Sequence, residues 1–589
     1  MYKIVYTLQE LPDWDKTSPI FSDIETESLY TDIRLIQFYQ PLTSDTVYIL
    51  DLAPTNYNID DYRALVEQLR VYLQDLWTVW YNSSFDLGTL NISPDKFDDI
   101  YYAVKLAYPE FGIKGFGLKK IVKRLRSTQG LYDSTEEDHG AKGFPKGSYI
   151  SASAYRYAAI DVIALDKLWD DPKIRNVIQD SLPYKVDILS QGYALIYQQN
   201  GLLVNREAVN RELKKSKLDR DKYTALLPDG FNPNSYIQVR KYLNIEKSDR
   251  EALVEYSLSD ADNAVDADYI IRLKRAKKEI GYLQSISFNK MYTKFNVAGA
   301  VSGRFTSSGG DLAQGFNAQQ IPRQFQYIFN SPTEDTVIID ADYSTLELRL
   351  AAAIFNENNM YNQLKEGKDL HTEMALLTTG KKLHPDGLIK MGGSHRDTTV
   401  VSEKYITDND RTNAKSIQFG YVFGMSAASY IGYARTSFGI KVTLDEATMY
   451  RDTYFRHYPN IAKLHNYVWT NYKKPGFLVY TALGRPIKPK LGTDGINGPI
   501  QGSGAETTKL AVHYLVQDNP DIPMLKYIYN VVHDAIYLRV PKTDNYIEIG
   551  KKLEEAMLKA WVEISKTKAF KFKDIPMIAE VEIKEYNGK

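Results

Sequence analysis

The chain has 589 residues, with 73 Lys or Arg against 74 Asp or Glu and a formal charge of −1; at roughly 150 residues per domain that is material for about four domains. Hydrophobic residues make up 43%, which excludes wholesale disorder, and no stretch approaches the roughly 18 uninterrupted apolar residues of a spanning helix. Cysteine is absent, which removes disulfides, thiolate catalysis, Cys-ligated zinc and iron–sulfur clusters, and the opening MYKIVYTLQELPDWD has neither the apolar core of a secretory signal nor the Arg/Ser-rich character of a transit peptide.

Residues 1 to about 180 read as an α/β unit. Runs of β-branched and aromatic residues predict strands over 20–26, 34–39, 47–52 and 76–82, and apolar residues at helical spacing predict helices over 60–73 and 152–168. The stretch 127–148, rich in Gly, Lys, Ser and Asp, predicts a long loop. From about 200 to 295 the pattern turns helical and charged. Within 272–294, Arg272, Lys274, Arg275, Lys277, Lys278, Lys290 and Lys294 face a single acid, Glu279. That is either a solvated helix face or a contact for a phosphate backbone. A neutral total charge does not exclude the second, because a basic groove can be balanced by acidic sites elsewhere. Residues 296–323 are polar and rich in Gly, Ser and Gln. An apolar strand over 336–340 follows, then a helix from about 346, further helices to about 475, and two last strands over 527–532 and 535–540.

Asp23 and Glu25 lie two apart in the first of these strands, so period-two alternation puts both carboxylates on one face and Ile24 on the other. Asn82 and Asp86 are four apart where a strand gives way to a helix, and Tyr157 and Asp161 are four apart on one side of a predicted helix. Four carboxylates converging from three segments repel one another. Divalent ions relieve that repulsion, and hard oxygen ligands suit magnesium or manganese. Two such ions about 3.5–4 Å apart can activate a water and stabilise the leaving oxygen of a phosphodiester. In isolation each motif is more readily a surface feature; their order and their strand and helix contexts distinguish them. DIET (23–26), NSSFD (82–86) and YAAID (157–161) resemble the three exonuclease motifs of the proofreading 3′→5′ exonucleases. The resemblance implies a ribonuclease-H-like α/β fold, two metal ions held by Asp23, Glu25, Asp86 and Asp161, and Tyr157 positioning the attacking water.

A second pair of acids follows the same logic. Asp342 lies at the end of the apolar strand in IIDADYSTLELR (338–349), and His533-Asp534 interrupts YIYNVV and AIYLRV, a pattern that reads as a β-hairpin with the acid at or near its tip. Seen alone, a strand-turn Asp is more often a turn or capping residue. RTNAKSIQFGYVFG (411–424) is more specific: Arg411, Lys415, Phe419 and Phe423 recur every four residues and form one slowly turning helix stripe. Two cations followed by two rings suit a nucleotide, with the cations on phosphate oxygens and the rings against sugar and base. The plainer alternative is an amphipathic helix with both Phe residues in the core. The chain has no G-x-x-x-x-G-K-[ST] phosphate loop.

These segments resemble the family A DNA polymerases, the bacterial polymerase I type. DYSTLELR (342–349), RTNAKSIQFGYVFG and VVHDA (531–535) are similar to motifs A, B and C of that family. VSGRFTSSGGDLAQGFNAQQIPR (301–323), LGRPI (483–487) and NGPIQGSGAE (497–506) resemble its primer–template and palm segments. The resemblance runs in order over nearly the whole chain. It implies an exonuclease domain over 1–185 and a right-hand α+β polymerase over 186–589. The thumb would lie at about 205–295, the palm at about 186–204, 296–350 and 478–589, and the fingers at about 351–477; the family's optional 5′-nuclease domain has no counterpart.

The resemblance further implies that Asp342 and Asp534, with the adjoining Tyr343, hold two magnesium or manganese ions. Arg411 and Lys415 would hold the triphosphate of an incoming deoxynucleotide, with Lys415 protonating the pyrophosphate leaving group. Phe419 would lie near the sugar, Phe423 near the templating base, and His371 in GKDLH (367–371) and Tyr343 near the triphosphate. Glu347 would be the steric gate against a 2′-hydroxyl. Arg304, Asn317, Gln319, Arg485, Asn497, Gln501 and His533 would contact primer–template DNA, checking the shape of a pair rather than its sequence.

The whole resembles a monomeric, template-directed DNA polymerase with an editing exonuclease, similar in its short form to phage replicative enzymes and expected in the cytoplasm. Two departures stand out. Ala535 occupies the place where motif C ordinarily carries Glu, which predicts retained synthesis with an altered metal response or rate. The segment 381–397, KKLHPDGLIKMGGSHRD, lengthens the link between His371 and Arg411 and reads as an insertion in the fingers. The competing reading is a 3′→5′ exonuclease whose polymerase half binds DNA without synthesis. A non-enzymatic DNA-binding protein is disfavoured, since bare carboxylates hinder phosphate binding.

Overall fold

A computed structural model describes residues 1–27, 32–112, 115–125, 128, 130–132, 144–257, 259–309, 314–390 and 404–585. Much of the loop predicted over 127–148, and residues 391–397 of the inserted segment, lie outside them.

The N-terminal unit is built on a six-stranded mixed sheet in the order Tyr2–Val5, Val47–Asp51, Ile33–Tyr39, Ile20–Thr26, Thr78–Trp80, Phe97–Asp99. Ile20–Thr26 is interior, antiparallel to Ile33–Tyr39 and parallel to Thr78–Trp80. Its alternation is physical: Ile24 and Thr26 are buried on one face, while Asp23 and Glu25 are half-buried on the other. Ile24 shares its core with Tyr62, Val66, Leu69 and Leu73 of the helix Ile59–Gln74, whose N-terminus is capped by the Asn58 side chain. Phe21 lies on the Asp23 side and packs with Ala158, Val162 and Leu165 of the helix Ala152–Trp169, which Ser151 caps. The predicted strand at 76–82 is shorter than expected. It ends at Trp80 because Asn82 takes a left-handed conformation, φ +66°, and turns the chain into the helix Ser83–Leu90.

The helix Leu182–Tyr197 leads out of this unit. Beyond it the long helices Arg206–Ala225 and Ala264–Ser285 pack together, and two short helices, Tyr236–Leu243 and Arg250–Ser257, close a small separate core around Val239, Leu243, Leu253 and Ile270.

A second sheet has four antiparallel strands in the order Ile528–Val532, Ala535–Pro541, Thr336–Tyr343, Ala579–Lys584. The strand expected to end at 340 runs on to Tyr343, because Ala579–Lys584 keeps pairing with it, Asp342 opposite Glu580 and Tyr343 opposite Ala579. Ile339, Ala341 and Tyr343 face a core with Leu553 and Met557 of the helix Tyr546–Ser565, so Asp340 and Asp342 take the other face. The helix Gly492–Gln517 packs beside Tyr546–Ser565. Between the strands Thr336–Tyr343 and Ile528–Val532 the chain is mostly helical, from Leu346–Ile354 to Pro459–Asn471. Among the described residues no helix is long and apolar enough to cross a membrane.

The left-handed turn at Asn82 generates a prediction. Asn tolerates that conformation, Gly adopts it freely, and a β-branched residue is strained there. Asn82→Val should destabilise the N-terminal unit by about 1–2 kcal/mol, while Asn82→Gly should change it far less. Thermal unfolding of the two variants side by side checks this; equal melting shifts would refute it.

Candidate active sites

The first acidic constellation converges as the spacing requires. Carboxylate oxygens of Asp23, Glu25 and Asp161 all lie within 4.8 Å of one another. Asp23 and Glu25 come from one strand face and Asp161 from the helix that covers that face. Asp86, in the first turn of Ser83–Leu90, accepts a hydrogen bond from the Ile24 amide at 3.3 Å, which fixes it against the same strand. Burial first, and then the charges of Asp86, Asp161 and Glu25, push the Asp23 carboxyl well above its ordinary range. Burial also raises Asp86, against the Ile24 amide that favours its ionised form. A set of hard oxygen donors this close, each opposing its neighbour's ionisation, fits divalent magnesium or manganese. Tyr157 stands one turn before Asp161, with Lys119 Nζ 4.4 Å from its ring centroid.

Two supporting residues escaped the sequence reading. The Tyr132 hydroxyl donates to Asp161; it comes from the stretch read as a loop, where nothing marks one Tyr among 45. Asp99, fully buried, accepts from the amides of Asn82 at 2.9 Å and Ser83 at 2.7 Å and so anchors the start of the helix that carries Asp86. Burial raises its carboxyl to about 6, with those hydrogen bonds acting against the rise.

The second constellation surrounds a cavity of about 410 Å³ lined by Arg304, Tyr343, Thr345, Leu346, Glu347, His371, Lys415, Phe419, His533 and Asp534. His533 and Asp534 form the two-residue turn between Val532 and Ala535, with His533 left-handed at φ +56°. Burial and then the Asp534 charge push Asp342 up to about 7, with a smaller contribution from Glu580 across the strand pair. Burial likewise raises Asp534, and Arg304 and His533 pull it back. Two neighbouring carboxylates, one of which raises the cost of ionising the other, again fit a divalent ion.

Thr345, left-handed at φ +52°, turns the strand into the helix Leu346–Ile354, whose first turn presents Glu347. Glu347 accepts from Arg304 Nη2 at 2.9 Å. Opposite stands the helix Asp408–Val422, started by a reciprocal cap between Thr407 and Asp410. Its stripe is realised as a chain of contacts: Lys415 Nζ lies 6.0 Å from the Phe419 ring, and Phe419 lies 6.2 Å from Phe423 and 5.8 Å from His371. Burial pulls His371 down to about 4, so its ring is neutral near pH 7. Arg411 makes a two-pronged ion pair with Asp369, at 2.6 and 3.0 Å. Burial raises Asp369, but Arg411 and Thr372 outweigh it and hold the carboxyl at about 2.

The expected DNA contacts divide. Arg304 and His533 line the cavity. Asn317 caps a short helix and accepts from Ser307, and Gln319 donates to the Val531 carbonyl at 3.2 Å. Asn497 and Gln501 share a face of Gly492–Gln517, and Asn497 Oδ1 is buried without a partner. Two expectations need correction. Arg485 is only 3% exposed and its guanidinium is bound to Asp187, so it offers nothing to DNA. Tyr343 lines the cavity, but its phenol points into the core and donates to the Met557 carbonyl at 2.7 Å, which leaves its main chain alone for a nucleotide or ion.

Residues 212–385 and 395–586, more than half of the chain, match the family model of DNA polymerase family A. The chain belongs to that family. It is similar to DNA polymerase I of Aquifex aeolicus, 26% identical over 601 residues and covering 95% of each chain. It is 28% identical over 326 residues to the DNA polymerase of Bacillus phage SP01, covering 50% of this chain and 31% of that one. To DNA polymerase I of Streptococcus pneumoniae it is 29% identical over 285 residues, spanning 28% of that longer protein. Its fold is similar to that of the POL domain of Pol1 from M. smegmatis, solved in complex with DNA primer–template and dNTP; the TM-score is 0.70 at 18% identity, covering 96% of this chain and 94% of that one.

The raised Asp342 carboxyl fixes a pH dependence. Between the ordinary carboxylate range and about 7 the folded chain holds a proton that the unfolded chain has released, so stability without metal falls as pH rises through that window. Magnesium added at pH 8 should therefore raise the melting temperature, and Asp342→Asn should flatten the pH slope and shrink the magnesium effect. A magnesium shift of undiminished size in Asp342→Asn would count against Asp342 as a ligand.

Proposed function

We propose that this family A chain performs template-directed DNA synthesis from deoxynucleoside triphosphates and edits its product with a 3′→5′ exonuclease. The observation that carries the reading is the pair of separate carboxylate clusters, each with a member on an interior strand of its own sheet and each costly to ionise without a cation. The N-terminal sheet unit corresponds to a ribonuclease-H-like exonuclease domain over 1–185. The paired long helices correspond to the thumb, the four-stranded sheet to the palm and the helices of 351–477 to the fingers. A phage polymerase among the relatives supports a role in phage DNA replication in the host cytoplasm, by a monomer acting on primer–template DNA.

Asp342 and Asp534 at one site, and Asp23, Glu25, Asp86 and Asp161 at the other, would each hold two magnesium or manganese ions. When bound, such ions lower the pKa of the attacking hydroxyl or water and neutralise charge on the leaving oxygen. The chain's own groups do the rest. Lys415, on the cavity wall, binds triphosphate oxygens and carries at Nζ the proton that the pyrophosphate takes. Arg411 leaves Asp369 to join the triphosphate, which ties nucleotide capture to movement of the helix Asp408–Val422. Glu347, held by Arg304, fills the space a 2′-hydroxyl would need. His371, kept neutral by burial, packs on Phe419 beside the nucleotide sugar. In editing, Tyr157 orients the water, and Tyr132 holds Asp161 in place.

Asp342→Ala should reduce primer extension by about 10³-fold or more while digestion of a single-stranded oligonucleotide continues; Asp23→Ala should do the reverse. Loss of both activities in either folded variant would contradict two separable sites. Extension absent from the wild type with digestion intact would instead favour an exonuclease whose polymerase half only binds DNA, the reading that Ala535 beside Asp534 motivates.

A further inference from the structure

Five charged side chains without a part in that chemistry meet in the interior between the two sheets. Asp187, from the helix Leu182–Tyr197, is fully buried, and its carboxylate accepts from Arg485 Nη2 at 2.8 and 2.7 Å and from Lys509 Nζ at 2.7 Å. Arg485 Nε lies 3.7 Å from Glu506, which is held in turn by the Thr481 hydroxyl at 2.6 Å and the Leu483 amide at 3.0 Å. The two acids and two bases balance. Both lysines of the group then reach out to the same backbone segment: Lys509 donates to the Gly303 carbonyl at 2.7 Å, and Lys105, from the helix Ile100–Ala107 of the N-terminal unit, donates to the Ala298 carbonyl. Gly303 is left-handed at φ +82°, and Arg485 Nε lies 2.4 Å from where a Cβ would stand, so the guanidinium packs directly beneath it. The next residue is Arg304, which lines the cavity and donates to Glu347.

Buried ion clusters of this kind contribute little stability over apolar residues of the same shape; what they impose is geometry. Here the geometry is the path of residues 298–303, fixed at one end by the Lys105 ammonium on the Ala298 carbonyl and at the other by the Lys509 ammonium on the Gly303 carbonyl and the Arg485 guanidinium against the same glycine. We propose that Asp187, Arg485 and Lys509 are positioning residues for DNA synthesis, clamping the 298–303 segment so that Arg304 is aimed at Glu347 and the primer end, and that Lys105 extends the clamp into the N-terminal unit, making that unit a structural part of the synthesis site. The proposal rests on the reading of the cavity lined by Glu347 and Asp534 as that site. It also accounts for Arg485, a residue whose motif suggested DNA and whose side chain never reaches the surface.

The test uses the full chain with Lys105→Met, which keeps the apolar stem and removes the donor, and Lys105→Arg, which restores one. Binding of a chain-terminated primer–template is measured by fluorescence anisotropy, primer extension by its kcat and its KM for primer–template, and digestion of a single-stranded oligonucleotide in the same preparations. Lys105→Met should weaken primer–template binding and raise that KM by about tenfold, the scale of one charge-assisted hydrogen bond, with kcat and digestion within about twofold of wild type, and Lys105→Arg should recover most of the loss. In an Arg304→Ala background Lys105→Met should cost nothing further. A general loss of structure would add to the effect of Arg304→Ala, and additive losses, unchanged binding in Lys105→Met, or parallel loss of digestion each overturn the clamp. Absence of extension by the wild type would defeat the reading of the cavity instead, because the binding measurement proceeds without synthesis.

Discussion

Concentrating negative charge where water is scarce is the constraint around which this chain is arranged. Asp23 and Asp342 are each opposed in their ionisation first by burial and then by the nearest carboxylates. Such a cluster holds together only if its members are anchored on elements too rigid to spread apart. Both sites meet that need in a similar way: Asp23 and Glu25 at one, and Asp342 at the other, sit on an interior strand, and the remaining acids arrive from helices or a hairpin packed against it.

The anchoring has a local backbone signature. Among the described residues Asn82, Thr345 and His533 are three of six non-glycine residues in the left-handed region, and each stands where the chain swings from a strand into the helix or turn bearing a site acid or Glu347. Asn and His tolerate that region; Thr, β-branched, is strained in it at a cost of about 1–3 kcal/mol. The strained turn brings Glu347 within a few residues of Asp342 and puts Glu347 on the cavity wall. A relaxed turn would need more residues and would move the carboxylate away from Arg304.

The sequence disclosed what is periodic and local. Two-residue spacing in DIET placed both acids on one face, four-residue spacing in YAAID and in the Arg411–Phe423 stripe placed side chains on one helix face, and the His533–Asp534 interruption marked a hairpin turn. What stayed illegible is what folding brings together across hundreds of positions. Asp187, Arg485 and Lys509 meet from three distant segments, and no spacing rule links them. Arg485 misled because Arg in a Gly-Arg-Pro turn is ordinarily exposed; its ion pair with Asp187 and the packing of Gly303 against its guanidinium bury it instead. Tyr132 and Asp99 were silent for a different reason: Tyr132 acts through one hydrogen bond to Asp161 and Asp99 through several to the start of the helix bearing Asp86, and such support has no pattern of its own.

The ion pair between Arg411 and Asp369 means that the resting chain supplies its own counter-anion. Any incoming anion competes with a tethered carboxylate already seated in two hydrogen bonds, so the free energy of breaking that pair is subtracted from whatever the newcomer gains. A singly charged visitor recovers little of that deficit. A polyanion that can also reach Lys415 gains a second cation against the same small cost, so the internal carboxylate weighs most against ligands that bring least charge.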